Sequence, residues 1–389
     1  MSNENLQKLA DYGQSIWMDN LNRSAIESGE LKSQIDSLNL RGITSNPSIF
    51  EKAIIGNQVY DSDIRAGVEA EKSPEQIYES LIFEDIRNAC DIFRPIYDET
   101  QGKDGYISIE VSPHLARNMK DTLAEARRFN NAVDRPNVMI KIPGTLEGFG
   151  AIEQAIADGI NVNVTLLFAV EDYKQAAWAY IRGLETRVQN GQPVDNIASV
   201  ASFFLSRIDS KVDDALDERL EAGADAELIN SIKGKVAIAN AKIAYQAYEE
   251  IFSSDRWQAL AEHGASPQRL LWASTSTKNP DYSDVMYVEE LVADNTVNTI
   301  PPSTLEAFAD HGQPQPDTVH RDVKAAYQVI EHLNHPDIQI NLDSVMAELI
   351  EEGIDKFVEP YESLMSSIEE KTKAVAETAE SETAEQVAS

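Results

Sequence analysis

A lysine lies within an apolar segment where core packing would not select a charged side chain. Residues 137–145 (NVMIKIPGT) read as a buried strand that ends in a turn, and Lys141 lies near its end. Lysine is rarely buried unless a partner holds it, and a desolvated amine loses its proton more readily. A neutral amine can attack a carbonyl carbon and form a Schiff base. On this segment alone, a lysine that extends to the surface and forms a salt bridge is the alternative.

Other predicted strands also end in polar residues. They are two acids, two cations and several amides and hydroxyls: Asp19, Glu110, Arg207, Lys278, Asn46, Asn163, Thr165, Ser202 and Ser276. Taken singly, each of these residue types fits a helix cap, a turn, an ion pair or a hydrogen bond to the backbone. Their occurrence on almost every predicted strand favours a shared site.

The residue types suit Schiff-base chemistry on a sugar phosphate. Such a lysine needs acids nearby that protonate a carbinolamine hydroxyl and move protons on sugar hydroxyls, which Asp19 and Glu110 can do. We expect Thr165 and Asn46 to position a water molecule and the substrate hydroxyls. Arginine offers a planar fork of donors and lysine a point charge, so the two cations, with the hydroxyl of Ser276, suit a phosphate monoester.

The elements that must position these residues alternate along the chain. Strand-like segments separated by helical ones predict a parallel sheet of βα units. The predicted strands are 15–19, 42–46, 106–111, 138–143, 161–168, 198–204, 269–274 and 296–300. Eight βα repeats fit a (β/α)₈ barrel of the TIM type, in which the carboxyl ends of the strands form the active-site face.

The spacing of the strands predicts one barrel domain over residues 1–368, with additional helices near 51–105 and 208–268. Residues 369–389 form an acidic, low-complexity tail with no large apolar residue beyond valine. Such a segment buries too little apolar surface to offset the entropy of ordering, so we expect it to be disordered.

The composition excludes several classes of partner. The chain has 66 acids against 33 bases, a formal net charge of −33. A protein this acidic repels nucleic acid and anionic lipid. Neither a signal peptide nor a membrane span is visible, so we expect a cytoplasmic protein. Cys90 is the single cysteine and the six histidines show no metal-ligand spacing, so no metal and no cofactor are expected.

Seven segments resemble the strand-end motifs of the transaldolase family, in the family's order. They are GITSNPSIF (42–50), ISIEVSP (107–113), VMIKIPGT (138–145), NVNVTLLF (161–168), ASFFLSRID (201–209), LLWASTSTKNP (270–280) and NTVNTIPP (295–302). The resemblance is specific because it rests on linked segments that span nearly all of the predicted barrel.

This resemblance implies an enzyme of the non-oxidative pentose phosphate pathway. It would transfer a dihydroxyacetone unit from sedoheptulose 7-phosphate to glyceraldehyde 3-phosphate, giving erythrose 4-phosphate and fructose 6-phosphate. By position in the motifs, Lys141 matches the Schiff-base lysine, and Glu110 matches the glutamate that acts through a water molecule. Thr165 matches the threonine that holds this water, and Asp19 the aspartate that takes a proton when the carbon–carbon bond breaks.

The remaining matches concern substrate contacts. Asn46 and Asn163 match residues that hold the dihydroxyacetone unit, and the substrate and phosphate contacts fall on Ser202, Phe204, Arg207, Ser276 and Lys278. Many shorter members have arginine where this chain has Lys278, so an ammonium replaces a guanidinium there. The greater length of this chain leaves its oligomeric state open, and a homo-oligomer is one possibility.

Two other functions stay open at this point. A fructose 6-phosphate aldolase on the same barrel would cleave its substrate without transferring the three-carbon unit, although chain length and Glu110 favour the transferase. A regulatory barrel would bind a sugar phosphate without catalysis. A buried amine accompanied by two acids counts against such a binding protein, because binding alone does not need it.

Overall fold

Eight parallel strands close into a barrel in the computed structural model, which describes residues 3–388, with side chains for residues 3–374. Each strand pairs with its neighbour in chain order, and the last pairs with the first. The strands are β1 (Gln14–Asp19), β2 (Gly42–Thr44), β3 (Tyr106–Glu110), β4 (Val138–Pro143), β5 (Val162–Leu167), β6 (Ser199–Phe204), β7 (Arg269–Ala273) and β8 (Thr296–Ile300). The predicted (β/α)₈ barrel is confirmed.

The strands are buried on both faces. Every strand residue except Asp19 is buried, as expected for a parallel sheet that is filled on the inside and covered by helices on the outside. Isoleucine and valine are the most frequent strand residues, and these β-branched side chains fit a crowded pleated surface. The largest difference at one end of a predicted strand is at β2, which ends at Thr44 because Asn46 already caps the next helix.

Helices cover the barrel, and the described residues contain one or more of them after each strand. They are α1 (Glu4–Asp11), α2 (Arg23–Glu27), α3 (Glu30–Leu38), α4 (Pro47–Ile54), α5 (Asp61–Glu69), α6 (Pro74–Glu99), α7 (Met119–Val133), α8 (Leu146–Asp158), α9 (Val170–Gln189), α10 (Ser206–Glu221), α11 (Ala226–Ile232), α12 (Val236–Phe252), α13 (Asp255–Ala261), α14 (Met286–Glu289), α15 (Pro302–His311), α16 (Val323–His332) and α17 (Leu342–Ala388). None of these helices is long and apolar enough to cross a membrane.

The two long intervals between strands are helical. Helices α4 to α6 lie between β2 and β3, and α10 to α13 lie between β6 and β7. Their buried apolar residues, such as Phe93 and Val236, belong to the same core cluster as the strand residues. Both intervals therefore pack on the barrel.

The predicted boundary at residue 369 falls inside the last helix, α17, whose backbone is helical through Ala388. The first turn beyond that boundary contacts α5, because Lys371 Nζ donates a hydrogen bond to Asp61 Oδ1 at 2.7 Å. From residue 375 onward the side chains lie outside the described residues, as does all of residue 389. What the sequence predicted for that part of the tail stays a prediction.

Candidate active site

Lys141 lies inside the barrel, near the carboxyl end of β4. Strand register pairs it with Glu110 on β3 and Asn163 on β5, and its side chain is 5% exposed. Its Nζ lies 3.3 Å from Glu110 Oε2 and donates a hydrogen bond to the carbonyl oxygen of Ser45 at 3.2 Å. The amine therefore stays within the protein and does not extend into solvent.

Glu110 is a buried carboxyl with few donors around it. The ammonium of Lys141 is close enough for attraction, but neither Oε1 nor Oε2 accepts a hydrogen bond of good geometry from the described residues. Burial raises the pKa of Glu110 to about 7, against the charge of Lys141, which lowers it. Near neutral pH, Glu110 can therefore both give and accept a proton.

Asp19 is the last residue of β1. Its Oδ1 accepts a hydrogen bond from Thr44 Oγ1 at 2.7 Å. Burial raises the pKa of Asp19 above its usual value, although the charge of Lys141 and the bond from Thr44 lower it. Two acids from different strands thus lie close enough to the amine to interact electrostatically with it.

Three polar side chains form a hydrogen-bonded chain beside Lys141. Asn163 Nδ2 donates to Ser108 Oγ at 3.1 Å, and Ser202 Oγ donates to Asn163 Oδ1 at 2.7 Å. Because both ends of the amide are engaged, its orientation is fixed. Thr165 Oγ1 is also buried, and it has no hydrogen-bond partner among the described residues.

A cavity of about 600 Å³ opens in front of the amine at the carboxyl ends of the strands. Its wall includes most of the predicted site residues: Asp19, Asn46, Lys141, Ser202, Phe204, Arg207, Ser276 and Lys278. Glu110, Asn163 and Thr165 are not in that wall and are buried. Asn46 also has a local role, since its Oδ1 accepts the backbone N–H of Ile49 and caps α4.

One part of the cavity wall carries positive charge. Arg207, at the start of α10, stacks on Phe204 with 5.2 Å between its Cζ and the ring centroid, and its buried Nη1 has no described partner. Burial lowers the pKa of Arg207, although the negative charges of Asp19 and Glu110 raise it. Lys278 Nζ donates to Ser276 Oγ at 2.7 Å, and desolvation followed by the charge of Arg207 lowers the pKa of Lys278. Together these groups can bind an anion.

Sequence reasoning did not predict every residue of the cavity wall, and Lys52 on α4 and Phe357 on α17 are among those it missed. Lys52 lies less than two helical turns after Asn46, which caps α4. The motif around Asn46 was therefore a signal that a charged residue lies near the opening of the cavity. Phe357 lies far beyond the last strand, in a helix whose path over the barrel no sequence pattern indicated.

Comparison with known proteins gives a consistent result. The model of a family described as transaldolase/fructose-6-phosphate aldolase matches residues 16–368. A protein named transaldolase from Trichodesmium erythraeum is 58% identical over 376 residues, covering 96% of this chain and 99% of that protein. A protein named transaldolase 2 from Nostoc punctiforme is 56% identical over 379 residues, covering 96% of this chain and 99% of that protein. A transaldolase from Thermobifida fusca is 45% identical over 369 residues, with coverage of 95% and 98%.

Proposed function

This chain belongs to the transaldolase/fructose-6-phosphate aldolase family, and we propose that it transfers a dihydroxyacetone unit from sedoheptulose 7-phosphate to glyceraldehyde 3-phosphate through a Schiff base on Lys141. It is an enzyme, a transferase of the aldolase family. The products are erythrose 4-phosphate and fructose 6-phosphate, and we infer that the reaction belongs to the non-oxidative pentose phosphate pathway and takes place in the cytoplasm. The observation that carries the proposal is a buried amine 3.3 Å from a buried carboxyl, beside a cavity with a cationic end.

The first step joins the donor to Lys141. Lys141 first gives a proton to Glu110, and its neutral amine then attacks the C2 carbonyl of the donor; transfer of a proton from nitrogen to oxygen gives a carbinolamine. Glu110, acting through a water molecule that Thr165 holds, protonates the carbinolamine hydroxyl, which leaves as water. A carboxyl with a pKa of about 7 suits this role, because it is partly protonated at neutral pH and can later act as a base.

The second step breaks the bond between C3 and C4. Asp19 takes the proton of the C4 hydroxyl, the C4 oxygen becomes an aldehyde, and the electron pair of the C3–C4 bond moves toward the protonated imine nitrogen. Erythrose 4-phosphate leaves, and the three-carbon unit remains on Lys141 as an enamine. Asn46 and Asn163 hold the hydroxyls of this unit. Attack of the enamine carbon on glyceraldehyde 3-phosphate and reversal of the first step complete the transfer.

The cationic end of the cavity binds the phosphate group of donor and acceptor. The fork of Arg207, the ammonium of Lys278 and the hydroxyl of Ser276 supply donors for phosphate oxygens. Ser202 and Phe204 contact the sugar chain between the phosphate and the amine. These cations also counter the repulsion that a chain of net charge −33 exerts on an anionic substrate.

Borohydride reduction in the presence of fructose 6-phosphate tests the proposal. We expect a three-carbon adduct that peptide mass mapping assigns to Lys141, and no adduct and no turnover in Lys141→Ala. As a matched control, Lys242→Ala removes another buried lysine, which pairs with Glu290 outside the cavity and should leave trapping intact. Absence of an adduct on folded wild-type protein would overturn the proposed function.

The same preparation separates transfer from simple cleavage. With fructose 6-phosphate and erythrose 4-phosphate together, a transaldolase forms sedoheptulose 7-phosphate faster than it releases free dihydroxyacetone. A fructose 6-phosphate aldolase would give the opposite ratio.

A further inference from the structure

Helix α17 lies over the carboxyl-end face of the barrel. It contacts α4, α5, α6, α10 and strand β5, which come from several different βα units. Gly353 of α17 packs against the end of β5. A Cβ atom at this position would lie 2.8 Å from Leu166 Cδ2, so the absence of a side chain lets the helix approach the strand closely. Leu166 itself has a φ of +59°, a conformation that non-glycine residues rarely adopt, at an irregularity of the β5 ladder.

One side chain of this helix reaches the amine. Phe357 is 4% exposed and lines the cavity. Its ring centroid lies 5.5 Å from Lys141 Nζ and 6.0 Å from Arg207 Cζ. The amine has polar contacts with Glu110 and with the carbonyl of Ser45, and neither residue belongs to α17. The ring of Phe357 therefore adds an apolar surface to the environment of the nitrogen.

Ion pairs hold the part of α17 just before Phe357 to the barrel. Lys211 on α10 pairs with Glu348 and Glu352, and Arg117, just before α7, pairs with Glu351. Exposed ion pairs of this kind contribute little each. The buried apolar face of α17, which includes Leu349, Leu364 and Ile368 besides Phe357, therefore supplies most of the attachment.

The enamine that the proposed reaction leaves on Lys141 has two fates. In transfer, its carbon attacks the aldehyde carbon of the acceptor. In release, its carbon takes a proton, water adds to C2 of the resulting imine, and the C–N bond breaks with its electron pair returning to nitrogen. Release yields free dihydroxyacetone and the amine of Lys141. Only release needs a water molecule at C2 before an acceptor has reacted.

We propose that Phe357 is a specificity-determining residue that keeps water from the lysine-bound three-carbon unit and so favours transfer over release. An aromatic face next to the nitrogen offers no strong donor or acceptor that would orient an attacking water, and its volume excludes water from that side. The inference rests on the proposed function. It assigns to α17 a part in the choice between two reactions of one intermediate.

The test counts the dihydroxyacetone molecules released for each sedoheptulose 7-phosphate formed from fructose 6-phosphate and erythrose 4-phosphate. Phe357→Leu keeps an apolar side chain and limits the loss of packing, whereas Phe357→Ala opens the space. We expect this ratio to rise about tenfold in Phe357→Ala, and less in Phe357→Leu, a size typical of changes in a hydrophobic pocket. An unchanged ratio in both variants would overturn the proposal.

Leu364→Ala is the matched control, because it removes a fully buried side chain from the same helix outside the cavity wall. We expect this variant to be less stable but to keep the wild-type ratio. An equal rise in Leu364→Ala would assign the effect to the attachment of the whole helix and not to Phe357. Failure of the proposed function has a different signature, because wild-type protein would then form no borohydride adduct at all.

Discussion

At the scale of single residues, the ionisation of Glu110 sets the pH range of the proposed reaction. Burial raises its pKa to about 7, so the protonated acid is lost as the pH rises through that value. A carboxyl that donates a proton to the carbinolamine must be protonated, so the rate of Schiff-base formation should fall in the same range. We expect Glu110→Gln to lower kcat about 100-fold and to remove this dependence.

The measurement for Glu110 is the rate of Schiff-base formation against pH in single-turnover experiments. Glu125→Gln is the control, because Glu125 is also a carboxyl of raised pKa but accepts the backbone N–H of Ser112 and does not contact the amine. The control should keep the wild-type profile. A profile that survives unchanged in Glu110→Gln would remove this residue from the role of acid.

Asp19 should act after the Schiff base has formed. Its carboxylate can take the proton of the C4 hydroxyl, whereas the amide of Asp19→Asn cannot accept a proton at neutral pH. We expect the variant to form the borohydride adduct with its substrate while carbon–carbon cleavage slows about 100-fold. Trapping yields and the rate of aldose phosphate release measure the two steps separately. Loss of the adduct, or cleavage at the wild-type rate, would contradict this division of roles.

Eight of the residues predicted for the site line one cavity, and there is a physical reason for this. A residue near the end of a parallel strand has a defined depth in a barrel, so Asp19, Lys141 and Ser202 had to lie on one face. Phe357 could not be predicted in this way. It is an apolar residue on an amphipathic helix, and such residues are ordinary core formers until the path of the helix is known.

At the scale of elements, the strands were the easiest to predict. Short segments rich in apolar residues and bounded by turns mark them, and the closed barrel then follows from eight repeats. The end of β2 was placed too late because Asn46 was counted as part of the strand. Its side chain instead accepts the backbone N–H of Ile49, with Pro47 in the first turn, which starts α4 directly at the mouth.

The segment between β7 and α14 carries the phosphate contacts Ser276 and Lys278 without regular structure of its own. Helix α10, which carries Arg207, holds this segment. Ser206 N donates to the carbonyl of Ser274 at 3.1 Å, and Tyr282 donates its hydroxyl proton to Asp213 Oδ2 at 2.6 Å. Asp213 Oδ1 also accepts the backbone N–H of Gly234 at 2.9 Å. The two cationic side chains are therefore positioned by one shared support.

Tyr282→Phe should loosen this support. Losing a hydrogen bond to a carboxylate costs about 1.5–3 kcal/mol when the group is buried, and less for this partly exposed pair. We expect KM for glyceraldehyde 3-phosphate to rise about threefold to tenfold, while KM for unphosphorylated glyceraldehyde stays the same. Steady-state kinetics with both acceptors measures this.

Tyr180→Phe is the control for Tyr282, since it removes a tyrosine hydroxyl that donates to the carbonyls of Ile197 and Ser266 away from the cavity. It should cost stability without changing either KM. An equal change of KM for both acceptors in Tyr282→Phe would show that the segment between β7 and α14 does not act through the phosphate group.

At the scale of the whole molecule, charge is distributed unevenly. A chain with 66 acids and 33 bases carries a formal net charge of −33, yet Arg207, Lys278 and Lys52 all line one cavity. The excess of acids is visible in the sequence and predicts that nucleic acid is not a partner. The basic cavity was predicted only in part, because spatial clustering of distant cations depends on the closed barrel.

The acidic excess should make folding stability depend on salt. Like charges repel most strongly in the compact state, and raising sodium chloride from about 50 mM to about 500 mM shortens the Debye length from roughly 14 Å to roughly 4 Å. Screening also weakens surface ion pairs, but these contribute little each. We therefore expect the urea midpoint of unfolding at pH 7 to rise with salt.

Near pH 5, where carboxylates begin to take up protons and the net charge falls, the same addition of salt should have a smaller effect. A midpoint that falls with salt at pH 7 would show that the attractive pairs on this surface outweigh its net repulsion.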